Sequence, residues 1–311
     1  MKTRIIKPLN KSDLKKPAKF LRKGKLVAFP TETVYGLGAN ALDVDAVKKI
    51  FIAKGRPADN PLIVHIADKN DLKKLVRKIP EKAKILIEKF WPGPLTIVFE
   101  KKEIVSNIVT ARQKTVAVRM PKNKIALDLI KMARVPIAAP SANTSTRPSP
   151  TKAEHVFDDL NGKIDIIVDG GKTDVGLEST VIDLTSKIPT ILRPGKITKE
   201  EIEKLIGKVF AKTKSGKNVK SPGMKYKHYS PKAKVILASK KEIKKISKKF
   251  KDKKIGIIFC GNSLEEYAKN IFSEFREMDK MGIEVILAEK VEEKGIGVAI
   301  MNRLKKAAGG K

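Results

Sequence analysis

Along the first two-thirds of the chain, short apolar runs alternate with segments in which apolar residues recur every three to four positions. The short runs are rich in β-branched residues and bounded by Gly, Pro, Asn or Asp. They predict strands at 26–29, 62–66, 95–99, 115–118, 137–139, 164–168, 180–183 and 190–192. The longer pattern predicts helices at 44–53, 81–90, 124–133 and 198–206. The last of these opens on Thr198 with Glu201 three positions on, a capping box in which hydroxyl and carboxylate each take a free amide. Several strands follow one another with no helix between them, so the expected fold class is α/β with a mixed sheet.

A compositional break follows. Residues 212–231 (KTKSGKNVKSPGMKYKHYSP) have little apolar periodicity and read as a linker. Beyond it, strands are predicted at 234–238, 254–260 and 283–288, with helices at 241–250, 264–272 and 298–307, a small βαβ-type unit. The expected organisation is therefore a domain at 1–207, a linker at 208–231 and a second domain at 232–311.

Charge changes this picture more than composition does. The 67 Lys and Arg against 34 Asp and Glu give a formal net charge of +33, which favours polyanionic partners such as ATP, pyrophosphate and tRNA. The excess is diffuse. Lys240, Lys241, Lys244, Lys245, Lys248 and Lys249 alternate with Ile243 and Ile246 at helical spacing, the pattern of a solvated helix face. No stretch is apolar enough to span a bilayer and no apolar segment follows the basic N-terminus, so a cytoplasmic protein away from membranes is expected. A single cysteine and three scattered histidines argue against a metal centre.

Candidate chemistry gathers at the predicted strand ends. After 26–29 comes Pro30-Thr31-Glu32-Thr33-Val34-Tyr35-Gly36-Leu37-Gly38, expected to be a polar, glycine-bearing loop. Gly36–x–Gly38–x–x–Ala41 has the form of a dinucleotide fingerprint, but that motif places its first glycine directly at the strand end, so the match is rejected. Lys54-Gly55-Arg56-Pro57 and Asn60-Pro61-Leu62 follow the first predicted helix; a lysine and an arginine there can reach one polyphosphate. His65 by itself reads as a hydrogen-bonded core histidine. Further on stand Trp91-Pro92-Gly93-Pro94-Leu95-Thr96, Val116-Ala117-Val118-Arg119-Met120-Pro121, Ala139-Pro140-Ser141-Ala142-Asn143, Gly176-Leu177-Glu178-Ser179-Thr180-Val181-Ile182-Asp183 and Arg193-Pro194-Gly195. Arg119 at a strand end suits a carboxylate.

Taken in order, these motifs resemble the YrdC domain, and with the linker and the small second domain the whole chain resembles the two-domain members of the Sua5/YrdC/YwlC family. The resemblance implies a YrdC-like domain with a twisted mixed sheet flanked by helices, joined to a small Rossmann-like α/β domain. It implies L-threonylcarbamoyladenylate synthesis: L-threonine, bicarbonate and ATP, with Mg²⁺ as cofactor, giving threonylcarbamoyl-AMP and pyrophosphate for the t6A modification of tRNA. The adenylate would pass to a tRNA-modifying complex. Carried over by position, threonine binding falls on Thr33, His65, Arg119, Ala139 and Ser179. ATP binding falls on Lys54, Arg56, Asn60, Thr115, Ser141, Asn143, Ser149, Arg193 and Tyr229, with Lys54, Arg56, Ser141 and Asn143 as the catalytic set. The linker would close over the site as a lid. The competing readings are a non-catalytic tRNA or double-stranded RNA-binding protein and a carbamoyl-phosphate-dependent transferase. Against the first, aromatic residues are only 5%, which leaves few stacking platforms. The second calls for a longer chain with further modules.

Overall fold

The computed structural model describes residues 2–211 and 228–309; of the linker expected at 208–231 it describes 208–211, which end in a short strand at Phe210–Ala211, and 228–231. Eleven strands form one sheet: β1 (Arg4–Ile6), β2 (Val27–Phe29), β3 (Gly36–Asn40), β4 (Ile63–His65), β5 (Leu95–Glu100), β6 (Thr115–Arg119), β7 (Ile137–Ala138), β8 (Ile166–Val168), β9 (Thr180–Asp183), β10 (Thr190–Arg193) and β11 (Phe210–Ala211). Their order is β1-β8-β2-β3-β7-β4-β6-β5-β9-β10-β11. The sheet is mixed, as expected: β4 and β6 run parallel while β5 and β6 run antiparallel. β5 is buried on both faces except at its last residue, which is why LTIVFE reads as an unbroken apolar run rather than an alternating one. The second sheet is parallel, with β12 (Lys234–Ala238), β13 (Ile255–Ile258) and β14 (Val285–Glu289) in the order β12-β14-β13.

Helix ends behave as local chemistry dictates. Asp43 accepts the amides of Asp45 and Ala46 to start Val44–Lys54. Gly55, in the left-handed region at φ 58°, stops it, and the Arg56 amide folds back onto the Phe51 carbonyl. That reversal brings Lys54 and Arg56 inward on either side of one glycine. Thr198 and Glu201 form the anticipated capping box on Lys199–Ile206. The lysines of Lys240–Ser247 are exposed around buried Ile243, a solvated face.

Three local expectations are corrected. Gly36–Asn40 is not loop but strand, antiparallel to β2 with Phe29 opposite Gly36. Helices also form at Lys15–Arg22, Lys69–Leu75 and Ala153–Leu160, none of them expected. The helix at 264–272 runs on to Lys280, because Arg276 and Ser273 are buried and continue its inner face.

Gly38 shows what holds the β2–β3 hairpin tight. A Cβ there would lie 2.7 Å from Phe29 Cε1 and 2.9 Å from Ile137 Cγ2, and Phe29 and Ile137 are both fully buried. Gly38→Ala is therefore expected to lower stability by about 1–3 kcal/mol, the usual cost of overpacking. Urea unfolding measures it; an unchanged midpoint would mean that the Phe29 ring can step aside.

Candidate functional site

β4 and β6 lie side by side with His65 opposite Arg119, so the two side chains the sequence placed in separate motifs stand next to each other. Around them opens a cleft lined from several motifs at once. Its walls bring together Thr33, Arg56, His65, Arg119, Ala139, Ser141, Asn143, Ser149, Ser179, Arg193 and Tyr229 from the predicted set. Lys54, Asn60 and Thr115 are not on those walls.

The anion-binding half of the cleft is a loop held from behind. Lys54 Nζ donates 2.5 Å to the Ser141 carbonyl and also to the Asn143 carbonyl. Ser141 Oγ donates 2.5 Å to Asn143 Oδ1, and Asn143 Nδ2 donates to the Thr144 and Arg147 carbonyls. The lysine is thus the peg of the loop, and burial, with Arg56 beside it, pushes its amine well below the usual lysine range. Arg56 Nη2 reaches the Asn60 and Pro61 carbonyls at 3.3 and 3.2 Å, which turns the chain into β4. Asn60 is 1% exposed, and neither of its side-chain polar atoms has a hydrogen-bond partner.

The other half is built on Arg119. Its Nη1 donates 2.9 Å to Thr33 Oγ1, its Nε donates 3.3 Å to the Gly93 carbonyl, and its Nη2 stands 2.8 Å from Glu32 Oε2 in a buried ion pair. A guanidinium has five N–H groups, so one on each terminal nitrogen remains to meet a carboxylate fork. His65 Nδ1 has no partner, and burial followed by the Arg119 charge pushes the imidazole down to about 3, so it faces the cleft neutral. The ring is buried and hydrogen-bonds the backbone at Ile63 and Ile137, as expected of a core histidine, with Nδ1 the atom left over. Thr96 and Ser179 share a 2.7 Å hydroxyl contact, and Arg193 donates to the Ser179 carbonyl at 3.0 Å and to its Oγ at 3.1 Å.

Sequence reasoning gave no role to Arg147 and His228, which line the cleft together with Glu178, nor to Arg276 and Arg303 behind them. Ser149 Oγ donates to Glu178 Oε1, and Arg303 Nε donates 2.8 Å to Glu178 Oε2. Arg147 pairs with Asp159 at 2.5 Å, and Arg276 donates to both oxygens of the same carboxylate at 3.2 and 2.8 Å. A signal was available: Arg303 sits three positions after Ile300 and four before Ala307, on the apolar stripe of its helix. Among the described residues no group of three or more His, Cys, Asp or Glu could hold a metal ion. Among the same residues no helix is long and apolar enough to cross a membrane.

Comparison with known proteins points one way. The Sua5/YciO/YrdC family profile, described as telomere recombination, matches residues 19–195, and the profile of the threonylcarbamoyl-AMP synthase C-terminal domain matches 197–309. The chain is 54% identical to the threonylcarbamoyl-AMP synthase of Pyrococcus abyssi over 94% of this chain and 93% of that protein. It is 48% identical to the Bacillus subtilis protein of the same name over 97% and 94%. A crystal structure of Pyrococcus abyssi Sua5 complexed with L-threonine superposes with a TM-score of 0.96 at 51% identity, covering 99% of this chain and 98% of that one.

The three histidines make acid stability a test of this geometry. Each is pushed down to about 3, His155 by burial and then Arg276, His228 by burial and then Arg56, as His65 is by burial and Arg119. Unfolded histidine titrates near ~6.5, so below that pH the unfolded chain takes up protons that the folded chain refuses. Stability is therefore highest above pH ~6.5 and falls towards about 3, by about 1.4 kcal/mol per pH unit for each fully shielded ring. Urea midpoints should drop between pH 7.5 and 5, and His155→Gln should make the fall shallower. A flat profile would show that the rings reach solvent.

Proposed function

This chain belongs to the Sua5/YrdC family, and we infer from that membership that it is a threonylcarbamoyl-AMP synthase. It joins L-threonine, bicarbonate and ATP into threonylcarbamoyl-AMP with release of pyrophosphate, for the t6A modification of tRNA. The observation that carries this reading is the cleft itself. One end presents a buried guanidinium, Arg119, beside hydroxyls and a neutral imidazole; the other presents Arg56, Ser141, Asn143, Ser149 and Arg193 around a pegged loop.

The amine of threonine and bicarbonate first give a carbamate and water. A carbamate oxygen then attacks the α-phosphorus of ATP, and the bond to the β-phosphate oxygen breaks as pyrophosphate leaves. Nucleophile and electrophile are both anionic, so the protein's task is to hold them together and neutralise charge. Arg119 takes the threonine α-carboxylate, with Thr33, His65, Ala139 and Ser179 around it. Arg56 and Arg193 face the phosphates; Ser141, Asn143 and Ser149 shape that wall, with their own protons committed to Asn143, to the Thr144 and Arg147 carbonyls and to Glu178. Lys54 acts from behind, by holding the Ser141–Asn143 carbonyls in place. Asn60 and Thr115, which the family pattern assigns to the nucleotide, stand off the cleft walls, and Tyr229 closes one wall.

Mg²⁺ fits this site as part of Mg–ATP. The carboxylate on the cleft wall, Glu178, is already taken by Arg303 and Ser149, so phosphate oxygens would carry the ion. Its chemistry there is charge neutralisation. A tRNA-modifying complex that consumes the adenylate follows from the product, since a mixed anhydride hydrolyses readily; the surface lysines suit contact with tRNA.

Pyrophosphate release with Mg–ATP should require threonine and bicarbonate together, and the nucleotide product should have the mass of threonylcarbamoyl-AMP. Release without threonine would overturn the threonine-dependent reaction, and no release beside tight and salt-sensitive tRNA binding would replace the enzyme with an RNA-binding module. Arg119→Ala should weaken threonine binding about 10–100-fold, the worth of hydrogen bonds to a charged group, and leave ATP affinity within about twofold. Unchanged threonine affinity would remove Arg119 from the carboxylate.

A further inference from the structure

Two arginines of the second domain reach the first, and each ends on a carboxylate that holds a residue of the cleft. Arg303, on the helix Gly297–Ala307, is fully buried. Its Nε donates to one oxygen of Glu178, whose other oxygen accepts from Ser149 on the cleft wall. Arg276, on Leu264–Lys280, grips both oxygens of Asp159, which holds Arg147, another wall residue. The architecture is the same twice: second-domain arginine, first-domain carboxylate, cleft side chain.

Resting on the synthase reading above, we propose that Arg303 is a positioning residue for the nucleotide: it neutralises Glu178 and so makes the phosphate end of the cleft able to receive ATP. Glu178 is 6% exposed and stands on the wall where polyphosphate must lie. An uncompensated carboxylate there would repel the substrate. Burial pushes the Glu178 carboxyl up, but Arg303 first and Arg193 second, with the Ser149 hydroxyl, overcome it and hold the group at about 2. It is therefore ionised at every working pH, and its charge has to be met by a cation. Arg193 donates to Ser179, whereas Arg303 donates to the Glu178 carboxylate through Nε and to the Glu178 backbone carbonyl through Nη2, with Nη1 on its neighbour Asn302.

The same guanidinium also bears on Tyr229. Its Cζ lies 5.3 Å from the centre of the tyrosine ring, and Phe272 of the second domain stacks on that ring at 5.2 Å. Tyr229 has φ 65°, a left-handed backbone that a non-glycine residue keeps only when its surroundings hold it. Arg303 thus sets the charge of one wall and the placement of another. The first domain has its own core, yet its nucleotide site is completed from outside.

The experiment compares Arg303→Met, Arg303→Lys and the double variant Arg303→Met with Glu178→Gln in the full chain. Calorimetry reads Mg–ATP binding and threonine binding separately, and thermal unfolding checks the fold. Arg303→Met is expected to weaken ATP binding tenfold or more with threonine binding changed less than twofold. Arg303→Lys should recover part of the loss. The double variant should recover most of it, because removing the carboxylate's charge removes the need for the cation. ATP affinity within twofold of the parent in Arg303→Met, an equal loss of both ligands, or a double variant no better than the single would each overturn the proposal. A parent protein that makes no threonylcarbamoyl-AMP would overturn the synthase reading itself, and the parent is assayed first to separate the two.

Discussion

A carboxylate sealed from water must find a countercharge, and at Glu178 that requirement joins the two halves of the molecule. Isolated ions are among the most costly groups to bury, and a buried pair repays the cost only when its geometry is good and its remaining atoms are bonded. Glu178 meets both conditions, with Arg303 on one oxygen and Ser149 on the other. Asp159 meets them with Arg276, Arg147 and the Thr144 amide. Removing one member of such a pair leaves the other stranded, so the arrangement of the cleft and the docking of the second domain stand or fall together.

The remaining charge in the cleft is arranged on the same principle. Arg119 is held by Glu32 and by neutral acceptors that leave part of its fork open. Lys54 has carbonyls instead of a carboxylate, and its amine, pushed down by burial, does structural service for the Ser141–Asn143 loop. The site therefore presents fixed cations and fixed hydroxyls to a reaction between anions, with little left to reorganise when substrates arrive.

Much of this was legible in the sequence, and the losses have physical reasons. Strands such as Leu95–Glu100 and helices such as Glu81–Phe90 carry their periodicity openly. Gly36–Asn40 does not, because glycine disfavours strands and only the packing of Phe29 and Ile137 over Gly38 makes it the right residue there. The ordered motifs brought eleven of the predicted residues to one cleft. They could not tell which way a side chain points: Lys54 and Arg56 flank one glycine, yet one pegs a loop from behind and the other faces the cavity. Arg276 and Arg303 were hidden for a different reason. Each is a charge on the buried face of its helix, and only a partner some 117 to 125 residues away makes burial tolerable.

Gly176 carries a consequence for descent. Its φ is +76°, and a Cβ on it would fall 2.4 Å from the Lys269 Cα and 2.5 Å from the Lys269 carbonyl oxygen of the second domain. Two positions later comes Glu178. Within three residues the first domain thus holds a glycine whose bareness serves a neighbour's backbone and an acid whose charge serves a neighbour's arginine. In any lineage that dispensed with the second domain, the left-handed backbone alone would still favour Gly176, while selection would turn against Glu178. That short stretch is where the history of the partnership would be written.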